Sequence, residues 1–79
     1  MDKQDILETV AEAIRDITGD DEADVTRESV ADDIDGWDSM AHVKIILAIE
    51  AAFKIRFDVE EVGRIDQVGD IIDMVAAKI

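Results

Sequence analysis

The residue types that could do chemistry in this sequence are few, and the most prominent are a serine and a histidine three positions apart. Ser39 and His42 lie in a segment with helical spacing, so their side chains would be neighbours on one helix face. A histidine beside a serine hydroxyl can activate it as a nucleophile. However, the Gly-x-Ser-x-Gly turn of a catalytic serine is absent, and neither a third member nor an oxyanion hole is evident. We therefore do not expect Ser39 and His42 to form a catalytic pair, and the sequence predicts that the protein is not an enzyme. A steric or partner-contact role is favoured for His42.

Carboxylates are the second candidate group, because residues 19–38 contain nine acids and a single base. An EF-hand calcium loop needs acids at positions 1, 3 and 5, glycine at 6 and glutamate at 12. Placing Gly36 at position 6 puts Ala31 at position 1 and His42 at position 12, so two essential ligands are missing. The sequence predicts no dedicated metal site and only weak, nonspecific binding of divalent cations.

The elements that would position these residues are helical. A first helix of about four turns is predicted before Gly19, a residue type that often ends helices. A second helix runs from Ser39 to near Phe53, and Asp38 and Ser39 at its start are both good N-cap types. The apolar stripe of the first helix comprises Ile6, Leu7, Val10, Ile14 and Ile17.

Two further elements follow. Asp58 and Glu61 have the spacing of a capping box at the start of a short helix. Asp66 is expected to open the last helix. The inward-facing residues of these two elements are expected to be Val62, Ile65, Val68, Ile71, Ile72, Val75 and Ile79.

No alternation typical of a strand is sustained, so the predicted fold class is all-α. We expect a small bundle of three main helices plus one short helix, with a long acidic loop between helices one and two. Seventy-nine residues have room for one domain, spanning 1–79. Val25, Val30 and Ile34 are expected to hold the acidic loop against the core.

The second helix has two apolar arcs. Ile45, Ile46, Ile49 and Phe53 fall on the arc expected to face the core. Met40, Val43 and Leu47 fall on another, beside Ser39 and Glu50, and predict a docking surface for a partner. The favoured interpretation of Trp37 is an aromatic side chain that ties the loop to the bundle, and the alternative is a partner-contact anchor.

The charge restricts the partners. Twenty-one acidic and eight basic residues give a net charge of −13. This field repels nucleic acid and anionic membrane surfaces and favours basic protein partners. There is no secretory signal and no apolar run long enough for membrane insertion, so the cytoplasm is the expected compartment. The chain is also expected to be a monomer.

The run Asp-Ile-Asp-Gly-Trp-Asp-Ser-Met, residues 33–40, resembles the attachment site of acyl carrier proteins. Those proteins have Asp-Ser-Leu at the start of the second helix, a glycine two residues before the aspartate, and surrounding acids. The resemblance extends over nearly the whole chain, since the length, the acidic first loop, the second helix and the segment 58–62 all fall in register.

The resemblance implies that a phosphopantetheinyl transferase modifies Ser39, with Asp38 as the adjacent motif residue. The cofactor implied is 4′-phosphopantetheine, whose thiol would carry acyl groups as thioesters for fatty-acid, lipid or polyketide-type biosynthesis. The partners implied are the transferase and acyl-loading ligase, synthase and acyltransferase enzymes with basic docking patches. The expected partner face comprises Trp37, Met40, Val43, Lys44, Leu47 and Glu50.

Some positions depart from the fatty-acid-synthesis type. Ala41, Lys44 and Ala51 stand where that type usually has acids, which leaves Glu50. The segment from Gly36 onward is more similar to carriers of dedicated pathways, including aminoacyl carriers loaded by an adenylate-forming ligase. Two alternatives to a fatty-acid or polyketide carrier therefore stay open: an aminoacyl or peptidyl carrier, and an unmodified acidic helical adaptor.

Overall fold

The computed structural model describes residues 2–79, which form four α-helices joined by loops. These are α1 (Lys3–Thr18), α2 (Ser39–Phe53), α3 (Val59–Gly63) and α4 (Val68–Lys78), and a single 3₁₀ turn lies at Ala31–Asp33. The described residues contain no strand. The predicted all-α bundle of three main helices and one short helix, with a long connection after the first, is confirmed.

Helix ends follow the local capping signals in three of the four helices. Asp2 and Asp38 cap α1 and α2, each accepting a hydrogen bond from the N–H three residues later, at 2.9 and 2.8 Å. Asp58 and Glu61 form the predicted capping box of α3, with both hydrogen bonds at 3.1 Å. Gly19 ends α1 in the left-handed conformation that glycine adopts without strain.

The prediction for α4 is wrong at both ends. Asp66 does not open the helix: Gln67 is its N-cap, and the N–H groups of Asp66 and Gln67 both donate to the Asp70 carboxylate. Ile79 is 53% exposed beyond the last helical residue, so it is not part of the buried stripe. The start of α4 is set instead by carbonyl groups of the acidic loop, described below.

The core is largely aliphatic, with Trp37 as its one buried aromatic residue among those described, and it lies where α1 packs against α2 and α4. Phe53 is half-buried and packs at its edge, as do Leu7, Ile17 and Ile65. The side chains that are fully buried are Ile6, Val10, Ile14, Ile45, Ile49, Val68, Ile71, Ile72 and Val75.

The acidic loop is attached to α4 by hydrogen bonds to its backbone carbonyl groups. The N–H groups of Val68 and Gly69 donate to the carbonyl oxygens of Ser29 and Arg27, at 2.9 and 2.8 Å. These bonds satisfy N–H groups that have no partner within α4 itself. The Arg15 guanidinium adds a bond of 2.9 Å to a loop carbonyl.

Apolar side chains of the loop contribute to the same attachment. Val25 and Ile34 are buried in the core, as the sequence predicted, and Val30 is half-buried. Ala23 is also buried against the core, although the sequence analysis did not single it out. The loop is therefore a packed part of the fold in spite of its nine acids.

Gly36 allows the loop to approach the end of α1 closely. Its φ is 87°, and a Cβ atom at this position would lie 2.6 Å from the carbonyl oxygen of Thr18. Real Cβ atoms do not come this close to a carbonyl oxygen, and the oxygen belongs to backbone that cannot swing away. Only glycine fits here, for reasons of both conformation and space.

Alanine substitutions at three glycines should separate these two effects. Gly36→Ala should destabilise the fold by about 3 kcal/mol, since it combines a left-handed backbone with a backbone clash. Gly19→Ala has the same backbone strain and an open surrounding, so it should cost only about 1 kcal/mol. Gly63→Ala, in α3 with open space, should be neutral or stabilise by about 0.5 kcal/mol. Urea unfolding followed by circular dichroism measures all three, and equal losses at Gly19 and Gly36 would contradict the clash.

An ionic network of three side chains joins the first helix, the loop and the last helix. Lys3 Nζ and Arg27 Nη2 each lie 3.1 Å from Oδ1 of Asp73. The hydrogen bond from Lys3, followed by that from Arg27, lowers the pKa of Asp73 below its ordinary value of 3.8. The lowered pKa means that this carboxylate stabilises the folded state at neutral pH.

We expect Asp73→Asn to lower the melting temperature at neutral pH. Because the folded-state pKa is the lower one, the contribution is complete above the unfolded value near 3.8 and is lost as the pH falls through the folded value. The difference between variant and parent should therefore shrink in acid. Asp16→Asn removes an exposed carboxylate that has no ion pair within residues 2–79, and it should not lower the melting temperature. A larger loss in acid than at neutral pH would contradict the prediction.

Candidate functional site

Ser39 is the first residue of α2 and is exposed. The cap of this helix is Asp38, whose Oδ1 accepts the hydrogen bond from the Ala41 N–H at 2.8 Å. Among residues 2–79 no group hydrogen-bonds the Ser39 hydroxyl. Ser39 is therefore not needed as the cap, and its hydroxyl is accessible at the positive end of the α2 dipole.

Trp37 is buried against the bundle, with 9% of its surface exposed. Its backbone N–H donates to the Ile34 carbonyl at 3.3 Å, and its indole Nε1–H donates to Nδ1 of His42 at 3.2 Å. Its burial agrees with the side chain that ties the loop to the bundle, which the sequence interpretation favoured. A ring this buried offers little surface to a partner.

His42 is half-buried and lies against Trp37, with the two ring planes 22° apart and the centroids separated by 6.0 Å. The sequence analysis favoured a steric or partner-contact role for His42 and did not predict its contact with Trp37. No local signal reports it, because the two rings meet only once the turn before α2 has brought residue 37 over the first turn of the helix.

A shallow, open cleft lies beside Ser39. It is formed by the 3₁₀ turn, the start of α2 and the segment between α3 and α4. Its lining combines apolar surface with one carboxylate, one hydroxyl and one imidazole: Ala31, Trp37, Asp38, Ser39, His42 and Ile65.

The two apolar arcs of α2 differ sharply in exposure. Met40, Val43 and Leu47, which we call the α2 apolar face, are 71%, 56% and 58% exposed. On the other arc Ile45 and Ile49 are fully buried and Ile46 is 6% exposed. Large apolar side chains left in water in this way on a small domain are typical of a contact surface.

Lys44 and Glu50 differ in how the fold uses them. Lys44 is exposed. The Glu50 side chain is half-buried, and its Oε2 accepts a hydrogen bond from the Phe57 N–H at 2.8 Å. Glu50 thus helps to fix the turn after α2, where Lys54 adopts the left-handed conformation. The sequence analysis placed Glu50 on the partner face and did not predict this contact.

The described part of the chain has neither a cluster of metal-ligating side chains nor a membrane-spanning helix. Residues 2–79 contain no group of three or more histidine, aspartate or glutamate side chains arranged to hold a metal ion. Within the same range, no helix has the length and apolar content that a membrane crossing requires.

Comparison with known proteins identifies the family. No family model matches the chain. It is 36% identical over 77 residues to the acyl carrier protein of Acidothermus cellulolyticus, covering 96% of this chain and 90% of that protein. The chain belongs to the acyl carrier protein family. The acyl carrier protein of Rubrobacter xylanophilus is likewise 36% identical over 76 residues, covering 95% of this chain and 93% of the relative.

A solved structure supports the same family at the level of the fold. The solution structure of the holo acyl carrier protein from Geobacter metallireducens matches with a TM-score of 0.84 and 37% identity. The match covers 92% of this chain and 84% of that one. The family resemblance identified from residues 33–40 is thus confirmed, and acyl carrier proteins are carriers rather than catalysts.

Proposed function

We propose that this chain carries acyl groups on a 4′-phosphopantetheine arm attached to Ser39, as a single carrier domain spanning residues 1–79. The observation that carries the proposal is the Ser39 hydroxyl, exposed at the start of α2 and released from capping by Asp38. The arm supplies, when bound, a terminal thiol for thioesters, a group that this cysteine-free chain lacks.

The residues around Ser39 fit a phosphodiester. A group on the first residue of α2 lies beside N–H groups that have no partner within the helix, and these favour a negative charge. The adjoining cleft offers apolar surface from Ala31, Trp37 and Ile65 to the part of an arm nearest its attachment. Because the cleft is open, a flexible arm can leave it and reach a partner enzyme.

The proposed modification transfers the phosphopantetheine group of coenzyme A to Ser39. The Ser39 Oγ forms a bond to the phosphorus attached to the pantetheine, and the pyrophosphate bond of coenzyme A breaks. The nucleotide half leaves with the bridging oxygen, and the hydroxyl proton passes to a base of the transferase. The carrier contributes the nucleophilic oxygen and its position, and the transferase contributes the catalysis.

Intact mass spectrometry after incubation with coenzyme A and a phosphopantetheinyl transferase tests this function. The parent chain should gain one phosphopantetheine group, and Ser39→Ala should gain none. Ser29→Ala is the matched control, since Ser29 is the only other serine and is buried with its hydroxyl hydrogen-bonded to Thr26. An unmodified parent chain would overturn the proposal and favour a helical adaptor.

We also propose that partners dock on the α2 apolar face. Its three side chains lie on the same helix as Ser39, and each is more than half exposed. Around them the net charge of −13 favours partners with basic patches. The partners proposed are the transferase and enzymes that load or use the acyl group, encountered in the cytoplasm by a monomeric carrier.

Lys44 supports a partner set that differs from that of bulk fatty-acid synthesis. This exposed base stands next to Val43 on the docking helix, where the fatty-acid-synthesis type usually has an acid. A basic patch that recognises an acid at this position would meet a like charge instead. We therefore favour a dedicated pathway, with a fatty-acid, polyketide-type or aminoacyl cargo.

A charge placed on the docking face should slow modification without unfolding the protein. Leu47→Asp should change stability by less than about 0.5 kcal/mol, because the site is exposed. It should nonetheless lower the transferase kcat/KM about tenfold, since a carboxylate in a desolvated apolar contact costs more than 1 kcal/mol.

Two further variants are the controls for Leu47→Asp. Ala77→Asp adds the same charge at an exposed position of α4 and should be modified at the parent rate. Ile49→Asp buries the carboxylate in the core and should unfold the domain, at a cost of several kcal/mol. If Leu47→Asp is modified as fast as Ala77→Asp, the α2 apolar face is not the docking surface.

A further inference from the structure

The hydrogen bond between Trp37 and His42 fixes which nitrogen of the imidazole carries its proton. The indole N–H can only donate, so Nδ1 of His42 is the acceptor and bears no hydrogen. In the neutral ring the proton must then be on Nε2, which is left as a donor. The two ring planes are only 22° apart, and the buried indole at the other end of the hydrogen bond holds the imidazole in place.

His42 lies within reach of any group attached to Ser39. The two residues are three apart on α2, which places their Cβ atoms about 5–6 Å apart on one helix face. Both also line the same cleft. Lys44, the other basic residue in α2, is five positions from Ser39 and points about 140° away around the helix.

The composition of the cleft makes His42 its only side chain suited to bind a phosphate. Ala31 and Ile65 are apolar, and the indole N–H of Trp37 is already bonded to His42. Asp38 brings a carboxylate that would repel a second anion beside it. A phosphate on Ser39 would therefore find one side-chain donor among the residues lining the cleft, Nε2–H of His42.

We propose that His42 donates a hydrogen bond from Nε2 to the phosphodiester on Ser39, and that Trp37 is the positioning residue that sets its tautomer and orientation. This inference rests on the proposed function, because it requires a phosphate at Ser39. It gives the pair a binding role in addition to packing the loop onto the bundle.

Nitrogen NMR of the histidine ring tests the contact without any partner enzyme present. Protein labelled with ¹⁵N in its single histidine is compared before and after modification at one pH, and intact mass first establishes that the group is on Ser39. The Nε2 resonance should move on modification, and Nδ1, bonded to Trp37 in both forms, should move much less. An Nε2 resonance that is the same in both forms would overturn the proposal.

Modification rates of three variants provide an independent test. His42→Ala should lower the transferase kcat/KM about tenfold, since a hydrogen bond to a charged group is lost. His42→Gln retains a side-chain N–H donor and should stay within about threefold of the parent. Trp37→Phe keeps an apolar ring but not the indole N–H, so its rate should fall between the two.

The outcomes separate this inference from the proposed function. If the parent chain gains no mass, the function itself fails. If it is modified but His42→Gln and His42→Ala, both folded by circular dichroism, are slowed equally, the donor role is wrong and the pair serves packing alone. Should either variant fail to fold, the comparison of the two ring nitrogens in the parent chain decides.

Discussion

The position of Ser39 depends on how a strongly acidic loop is held against a small aliphatic core. Like charges in residues 19–38 favour an expanded loop, and the hydrogen bonds from Val68 and Gly69 to its carbonyl oxygens oppose this. Those bonds join backbone groups, so none of them requires a charged side chain. Gly36 then brings the last residues of the loop against the end of α1, directly before α2 begins. The loop that leads into α2 is thus held by contacts with both α1 and α4.

Much of the fold could be predicted from the sequence because its signals are local. The four-residue spacing of Ile6, Val10 and Ile14, close to the helical repeat, identified α1, and the capping spacing of Asp58 and Glu61 identified α3. The start of α4 could not be predicted in this way, since its first N–H groups find partners about forty residues earlier in the chain. A backbone contact between residues so far apart produces no periodic pattern of residue types in the sequence.

In the candidate site, too, features that follow from local spacing were predicted, and features that depend on contacts between distant residues or on folded turns were not. The exposed Ser39 and the division of α2 into a buried and an exposed arc follow from local spacing, and the structure has both. The bond from Trp37 to His42 and that from Phe57 to Glu50 each depend on how a turn folds back over α2. Residue type alone suggested surface roles for both His42 and Glu50, and only the folded turns show that each is engaged within the chain.

Only one of the two apolar arcs of α2 is needed for the core, so this small domain can leave the large apolar side chains of the other arc exposed to water. Its stability comes from one arc of the helix packed against α1, together with α4, which also packs against α1. The α2 apolar face therefore adds little to the fold, and replacing its residues should cost little stability. Two copies that each have a net charge of −13 repel each other, which disfavours self-association through such a face. The same charge favours a basic partner, which supports the docking role proposed for this face.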